Sequence, residues 1–252
     1  MHARALKTIW DEGGVAVGCM LMADSPIAAE TMAQAGFDFL IVDRQHGGMD
    51  EGTAIAMTTA ISTSRTVPIV RVASNDAAAI GRALDCGAGG VIAPLTDTAA
   101  DAQAIVAATR YPPEGRRSWG PVRAGLTGGP NYAAEANGAV FASGMIETRD
   151  GFDALDEILA TPNLDGLLVG PNDLGFSFGN LPKPMPDDPD VVEAIRIIPQ
   201  KAADAGVMAG IHCGDAAMAN EMIALGYRWI SLSVDLGFMR GAAEAALGAL
   251  KR

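Results

Sequence analysis

Five polar segments, each carried at or near the end of an apolar run, hold the residue types that acid–base and metal chemistry require. They are Asp43-Arg44-Gln45-His46 after FDFLIV, Arg71 inside VPIVRVA, Glu147-Thr148-Arg149 after AVFASGMI, Gly170-Pro171-Asn172-Asp173 at the end of GLLVGPN, and His212-Cys213 ending VMAGIHC. Glu147 and Asp173 are carboxylates that would repel each other in one site. A hard divalent cation such as Mg2+ or Mn2+ resolves that repulsion, with water and substrate oxygens completing its octahedron. The plainer reading is that each acid caps the helix that follows it. A guanidinium inside an apolar strand is costly unless it meets an anion, so Arg71 holds either a substrate oxyanion or a structural salt bridge. His46 lies three residues after Asp43, close enough for the carboxylate to orient the imidazole and raise its basicity; the alternative is a surface histidine beside a capping aspartate. His212 and Cys213 read as residues that shape the pocket rim, His212 with a polar contact to offer.

Lysine chemistry is disfavoured. A Schiff-base aldolase needs a lysine at a strand end. Lys7 and Lys201 fall on expected helices, Lys251 at the terminus, and Lys183 in a Pro-rich loop well past the sixth strand. The chain also has no nucleophile elbow, Walker loop or H-E-x-x-H motif, which leaves hydrolase and nucleotide readings unsupported.

These residues can meet only if the strands that carry them run parallel around a common centre. β-branched or apolar runs at 15–21, 37–43, 67–73, 89–94, 139–147, 166–172, 207–213 and 228–234 alternate with Ala-rich helical stretches at 25–35, 51–64, 76–87, 97–109, 151–160, 190–205, 214–225 and 237–251, after a first helix at 3–12. Asp24-Ser25, Asn75-Asp76 and Asp97 are placed to cap helix starts, and Gly36, Gly87, Gly206 and Gly226 to end helices in a left-handed turn. Eight such units without a G-x-G-x-x-G fingerprint predict a (β/α)8 TIM barrel with an additional N-terminal helix, one domain over residues 1–252. Long connections at 111–138 and 174–189 are expected over the active-site face.

The composition sets the partners. With 49% hydrophobic and 19% charged residues over 252 positions, the chain can bury a large core. A formal charge of −12 disfavours nucleic acid. No run approaches the ~20 apolar residues of a membrane span, and the N-terminus has no apolar leader stretch. The three cysteines, Cys19, Cys86 and Cys213, are few and scattered and read as buried free thiols, so the expected location is cytoplasmic.

AGFDFLIVDRQHG, PIVRVASND, the stretch from GAGGVIAPLTDT through ATRYPPEGRRSWGP, GMIETRDG and GLLVGPNDLGFSFG occur in order over nearly the whole chain. Together they resemble the class II, metal-dependent pyruvate aldolases that include the 4-hydroxy-2-oxoheptanedioate and 2-dehydro-3-deoxyglucarate aldolases. The resemblance implies Glu147 and Asp173 as ligands of Mg2+, Mn2+ or Co2+, Arg71 at the keto oxygen, and His46 as the base, paired with Asp43. It also implies a substrate carboxylate at the Gly170-Pro171-Asn172-Asp173 turn, held by backbone N–H groups of Asn172 and Asp173, and Arg123 as a contact for the aldehyde half. The substrates implied are small 2-oxo acids and aldehydes, and the assembly a trimer or hexamer that exchanges the last helix. Members acting on carboxylated aldehydes commonly carry an acid where Gln45 stands and a Gln where Met145 stands, and a Trp is often found in the family at the position of Met20. The Gln45-His46 pair, RRSWGP and IHCG are closer to the hydroxypyruvate aldolase branch, so the nucleophile is pyruvate or hydroxypyruvate. Two other readings are a CoA-thioester lyase of the citrate/malyl-CoA type and a non-catalytic keto-acid-binding barrel.

Overall fold

The computed structural model describes residues 3–183 and 185–251. Its strands are β1 (Ala16–Leu21), β2 (Phe39–Asp43), β3 (Val67–Arg71), β4 (Gly90–Ala93), β5 (Phe141–Ile146), β6 (Gly166–Val169), β7 (Met208–Cys213) and β8 (Trp229–Val234). They pair in parallel and in sequence order, and β8 returns to β1, so the sheet closes into a barrel. The helices are α1 (Ala3–Asp11), α2 (Pro26–Ala33), α3 (Glu51–Ile61), α4 (Ala77–Asp85), α5 (Ala99–Thr109), α6 (Ala124–Gly128), α7 (Tyr132–Ala139), α8 (Arg149–Asp153), α9 (Leu155–Leu159), α10 (Pro171–Ser177), α11 (Pro189–Asp204), α12 (Ala216–Leu225) and α13 (Asp235–Gly248). The barrel and its N-terminal helix are as expected from the sequence. The helix ends also follow local chemistry: Ser25 and Asp76 cap α2 and α4, and the four anticipated glycines take positive φ. At α5 the cap falls on Thr98, in a reciprocal pair with Asp101, and not on Asp97.

Side chains alternate across each strand. On β2, Phe39 and Ile41 face the barrel interior and Leu40 and Val42 face the helices; on β5, Phe141 and Met145 face in and Ala142 and Ile146 face out. Continuing the same alternation turns Asp43, Arg71, Glu147, Gly170 and His212 inward at the C-terminal ends of their strands. The other end is filled by packed rings: Trp229 meets Phe39 at 5.8 Å and Phe141 edge-on at 5.2 Å. Helix α1 covers that end, with Leu6 buried in the interior cluster and Trp10 against Phe141. Lys7 and Arg110 both reach Asp165, which fastens α1 and the end of α5 to the base of β6.

Gly210 makes room for the ring stack, since a Cβ there would sit 2.2 Å from Cε2 of Trp229. Gly210→Ala is expected to cost about 3 kcal/mol, because the ring has no space to retreat. Thermal unfolding reads this as a fall of at least ~6 °C in Tm; a variant melting with the wild type would show that the ring can shift.

Three segments depart from the sequence reading. Strand six ends at Val169, not at residue 172, because Pro171 starts α10, where its missing N–H costs nothing. The expected helix at 151–160 is two short helices, α8 and α9, separated at Ala154. The third departure is the 111–138 connection, which the sequence places over the active-site face. It follows α5 rather than β4 and holds α6 and α7, so it lies at the N-terminal end of the barrel. Of the two long connections, the one after α10 stands at the C-terminal mouth; its Pro184 lies outside the described residues.

Helix α13 does not complete the outer ring. Asp235 at its start is buried and accepts from the backbone N–H groups of Met22 and Ala23, tying the ends of β1 and β8 together. From Met239 through Leu250 every side chain is exposed, including Met239, Leu247 and Leu250. Among the described residues no helix is long and apolar enough to cross a membrane.

Candidate active site

The Arg71–Asp43 pair is buried at the mouth. Asp43, on the last residue of β2, pairs in register with Arg71 at the end of β3. The Arg71 Nε donates to Asp43 Oδ1 at 2.8 Å and Nη2 donates to Oδ2 at 2.7 Å, a two-pronged ion pair with the aspartate fully buried and the arginine nearly so. The remaining guanidinium edge meets sulfur: Nη2 lies 3.2 Å from Met20 Sδ and Nη1 3.7 Å from Met145 Sδ. Arg71 therefore closes a salt bridge, the structural reading of this residue, and leaves Nη1 with a sulfur contact rather than a second carboxylate.

Asp43 also accepts from the backbone N–H groups of Gln45 (3.0 Å) and His46 (3.3 Å). This corrects the expectation that it orients the His46 imidazole. Its oxygens are taken by Arg71 and by the turn, and it reaches His46 through the backbone alone. The His46 side chain is exposed on that turn, at the edge of the mouth, with no hydrogen bond to a described residue.

Glu147 is buried one position past β5, where Oε1 accepts from the Leu95 N–H at 2.8 Å. Burial pushes its carboxyl pKa up, as do the negative charges of Asp173 and Asp97, against the Leu95 hydrogen bond and Arg71, which lower it. Asp173, in the first turn of α10, is thus close enough for its charge to be felt at Glu147, while its own side chain is exposed. Gly170 separates the two elements: a Cβ there would come within 3.2 Å of Glu147 Oε2. Pro171 and Asn172 carry the chain from Gly170 to Asp173 and line a cleft of about 230 Å3 with Pro182, Lys183, His212 and Gly214. Lys183 reaches the mouth after all, but its ammonium is bound by both oxygens of Asp187.

His212 is largely buried, and its Nδ1 lies 3.1 Å from Oγ of Ser231, its register partner on β8. Burial lowers its pKa, the positive charge of Arg71 lowers it further, and Asp43 opposes both. Arg123 is not brought to this site. It sits at the start of α6, with Nη1 donating to the Cys86 carbonyl at the C-terminal end of α4, at the opposite end of the barrel. The expectation of an aldehyde contact from Arg123 is corrected for a single chain, because an αβ connection cannot reach the face built by βα connections.

Sequence reasoning missed the Leu95 N–H and Ser231, and it singled out Met20 and Met145 as departures from the family pattern without their sulfur contacts to Arg71. Leu95 takes a left-handed φ of 52°, rare for a leucine, in presenting that N–H to Glu147. Its place directly after a strand, in VIAPL, was the one available signal.

Larger openings exist elsewhere, such as one of about 730 Å3 between α1, α2 and α3, but it lies at the N-terminal end, away from these strand termini. The barrel thus gathers an acid pair, a clamped arginine and histidines at its C-terminal mouth. The HpcH/HpaI aldolase/citrate lyase profile matches residues 16–242, a span that includes all eight strands. The chain belongs to the HpcH/HpaI aldolase/citrate lyase family. It is 36% identical over 242 residues to a hydroxypyruvate/pyruvate aldolase of Rhizorhabdus wittichii, covering 96% of each chain. It is 35% identical to a 5-keto-4-deoxy-D-glucarate aldolase of Shigella dysenteriae, covering 94% of this chain and 93% of the relative. The crystal structure of an HpcH/HpaI aldolase/citrate lyase family protein from Burkholderia cenocepacia superposes with a TM-score of 0.91 at 34% identity, covering 98% of both chains. Aldolases are carbon–carbon lyases, and this HpcH/HpaI chain is an enzyme of the class II aldolase type.

Proposed function

We propose that the chain cleaves and forms 4-hydroxy-2-oxo acids reversibly, with pyruvate or hydroxypyruvate as nucleophile and a small aldehyde as partner. The observation that carries this reading is the buried Arg71–Asp43 pair, which leaves Nη1 against the Met145 sulfur and the guanidinium near enough for its charge to be felt at the buried Glu147 carboxyl. Glu147 and Asp173 fit a divalent cation. They are oxygen donors whose charges oppose each other, one oxygen of Glu147 is held by Leu95, and Gly170 leaves the other without a Cβ in its way. Bound there, Mg2+, Mn2+ or Co2+ supplies Lewis-acid stabilisation of negative charge on the keto oxygen.

The chain's own groups do the rest. Arg71 donates Nη1 to the keto oxygen as the C3–C4 bond pair becomes the C2–C3 double bond and the carbonyl π pair moves onto that oxygen, and Asp43 keeps the guanidinium from turning away. Backbone N–H groups of Asn172 and Asp173, in a first turn without intrahelical acceptors, receive the substrate carboxylate. His46 takes the proton of the C4 hydroxyl through water and returns one to C3. The exposed apolar side chains of α13 support a homo-oligomer, a trimer or hexamer, in which this helix packs on a neighbouring subunit. Three buried free thiols support a reducing, cytoplasmic setting.

The test uses purified protein stripped of metal and refilled with Mn2+. Pyruvate or hydroxypyruvate is expected to be released from 4-hydroxy-2-oxo acids only after refilling. Failure to release either from any such acid overturns the reading.

A further inference from the structure

We infer that His212, held by Ser231, is a specificity residue that selects a nucleophile with a hydroxyl on the carbon beside the keto group, a 3-hydroxy-2-oxo acid, over one without it. This rests on the aldol reading above and assigns a selecting group to its floor. The inward-facing layer at the C-terminal ends of the strands includes Met20, Asp43, Arg71, Met145, Glu147, Gly170 and His212. Two sulfurs and a glycine make part of that layer apolar. Apart from Glu147, held by the Leu95 N–H, its polar side chains form two pairs, Arg71 with Asp43 and His212 with Ser231.

The first pair is occupied by one task, because three of the guanidinium's contacts are fixed by Asp43 and Met20 and Nη1 remains for the keto oxygen. The second pair has no such task if the substrate carries only keto and carboxylate oxygens. A ring nitrogen would then be covered by bound substrate without a partner, which costs affinity. A hydroxyl at C3 removes that cost whichever way the ring is protonated. If Ser231 donates to Nδ1, Nε2 carries the proton and donates; if Nδ1 donates to Ser231, Nε2 accepts; a hydroxyl can do either. Ser231 is fully buried, so the ring is held from behind by a group that solvent does not compete for. The ring is also reachable, since His212 lines the 230 Å3 cleft together with Asn172 of the carboxylate turn. The Lys183 cation in that cleft is spent on Asp187, which leaves His212 and Asn172 as neutral polar lining.

The experiment measures kcat/KM for hydroxypyruvate and for pyruvate with one fixed aldehyde, in the wild type, His212→Phe, His212→Gln and Ser231→Ala. The hydroxypyruvate-to-pyruvate ratio is expected to fall about tenfold or more in His212→Phe, to fall less in Ser231→Ala, and to recover in part in His212→Gln. A ratio that stays at the wild-type value overturns the inference, however the absolute rates move. Should His212→Phe fail to fold, Ser231→Ala, which removes a single oxygen, decides the question through the same ratio. Wild-type exchange of the pyruvate methyl protons in D2O, with Mn2+ and no aldehyde, is measured alongside. Exchange with an unmoved ratio sinks the role of His212 alone, whereas absent exchange sinks the aldol reading and this inference with it.

Discussion

Arg71→Lys is expected to lower kcat for aldol cleavage by about 10²–10³ while the protein stays folded. Lysine keeps a positive charge beside the buried Asp43 carboxylate, so the ion pair survives in weaker form. What it lacks is geometry. The guanidinium holds Asp43 with Nε and Nη2 and still leaves Nη1 outside that pair, and a single ammonium cannot serve both directions at fixed angles. Arg71→Ala removes the cation altogether and leaves a carboxylate at zero exposure without its partner, at a cost of about 3–5 kcal/mol. The two variants should therefore separate. Steady-state kinetics with circular-dichroism melts on both would show Lys losing rate with modest loss of Tm, and Ala losing rate and fold together. A lysine variant within threefold of wild-type kcat would remove Arg71 from the reaction.

Glu147→Gln is expected to abolish most activity, by ~10² or more, and yet to stabilise the metal-free protein. Burial raises the folded-state pKa of Glu147, with Asp173 and Asp97 adding to the rise. A carboxyl with a raised folded pKa costs the folded state stability wherever it is ionised, above that pKa. The cost disappears as pH falls through the folded value toward the unfolded one. Glutamine carries no charge and its amide oxygen can still accept from Leu95, so the variant should melt about 2–4 °C higher near neutral pH, the shift that ~1 kcal/mol gives in a chain of this size. The gap should close as pH falls, because the wild type becomes protonated and the variant does not titrate there. Cation affinity should run the other way in the wild type, weakening as pH drops, since proton and cation compete for one carboxylate. Melts of stripped protein across the pH range, with Mn2+ titrations beside them, check both halves. A glutamine variant that melts lower than the wild type at neutral pH would contradict the assignment of Glu147 as a site kept at the expense of stability.

Much of this is legible in one dimension. Apolar runs alternating with capped Ala-rich stretches point to the barrel, and strand ends point to Asp43, Arg71, Glu147, Asp173 and His212, because a parallel closed sheet delivers such ends to one mouth. Arg123 shows where linear reading fails. Both the loop reading and the likeness put RRSWGP and Arg123 near the site, although α5 intervenes between β4 and their segment and reverses the chain to the other end. Asp43 shows a second kind of failure. Its nearest candidate partner in sequence is His46, three residues on, but its partner in space is Arg71, because β2 and β3 pair Asp43 directly with Arg71.

The sequence by itself determined the period of the fold, the helix ends and the set of chemically capable residues, since these depend on neighbours within a few positions. Tertiary structure alone decided who pairs with whom. Strand register joined Asp43 to Arg71 and His212 to Ser231, and closure of the barrel put two methionine sulfurs against the guanidinium. The left-handed turn at Leu95 aimed one N–H at Glu147 from 52 residues away. Burial then gave these contacts their weight, because a charge removed from water is governed by the few groups that touch it.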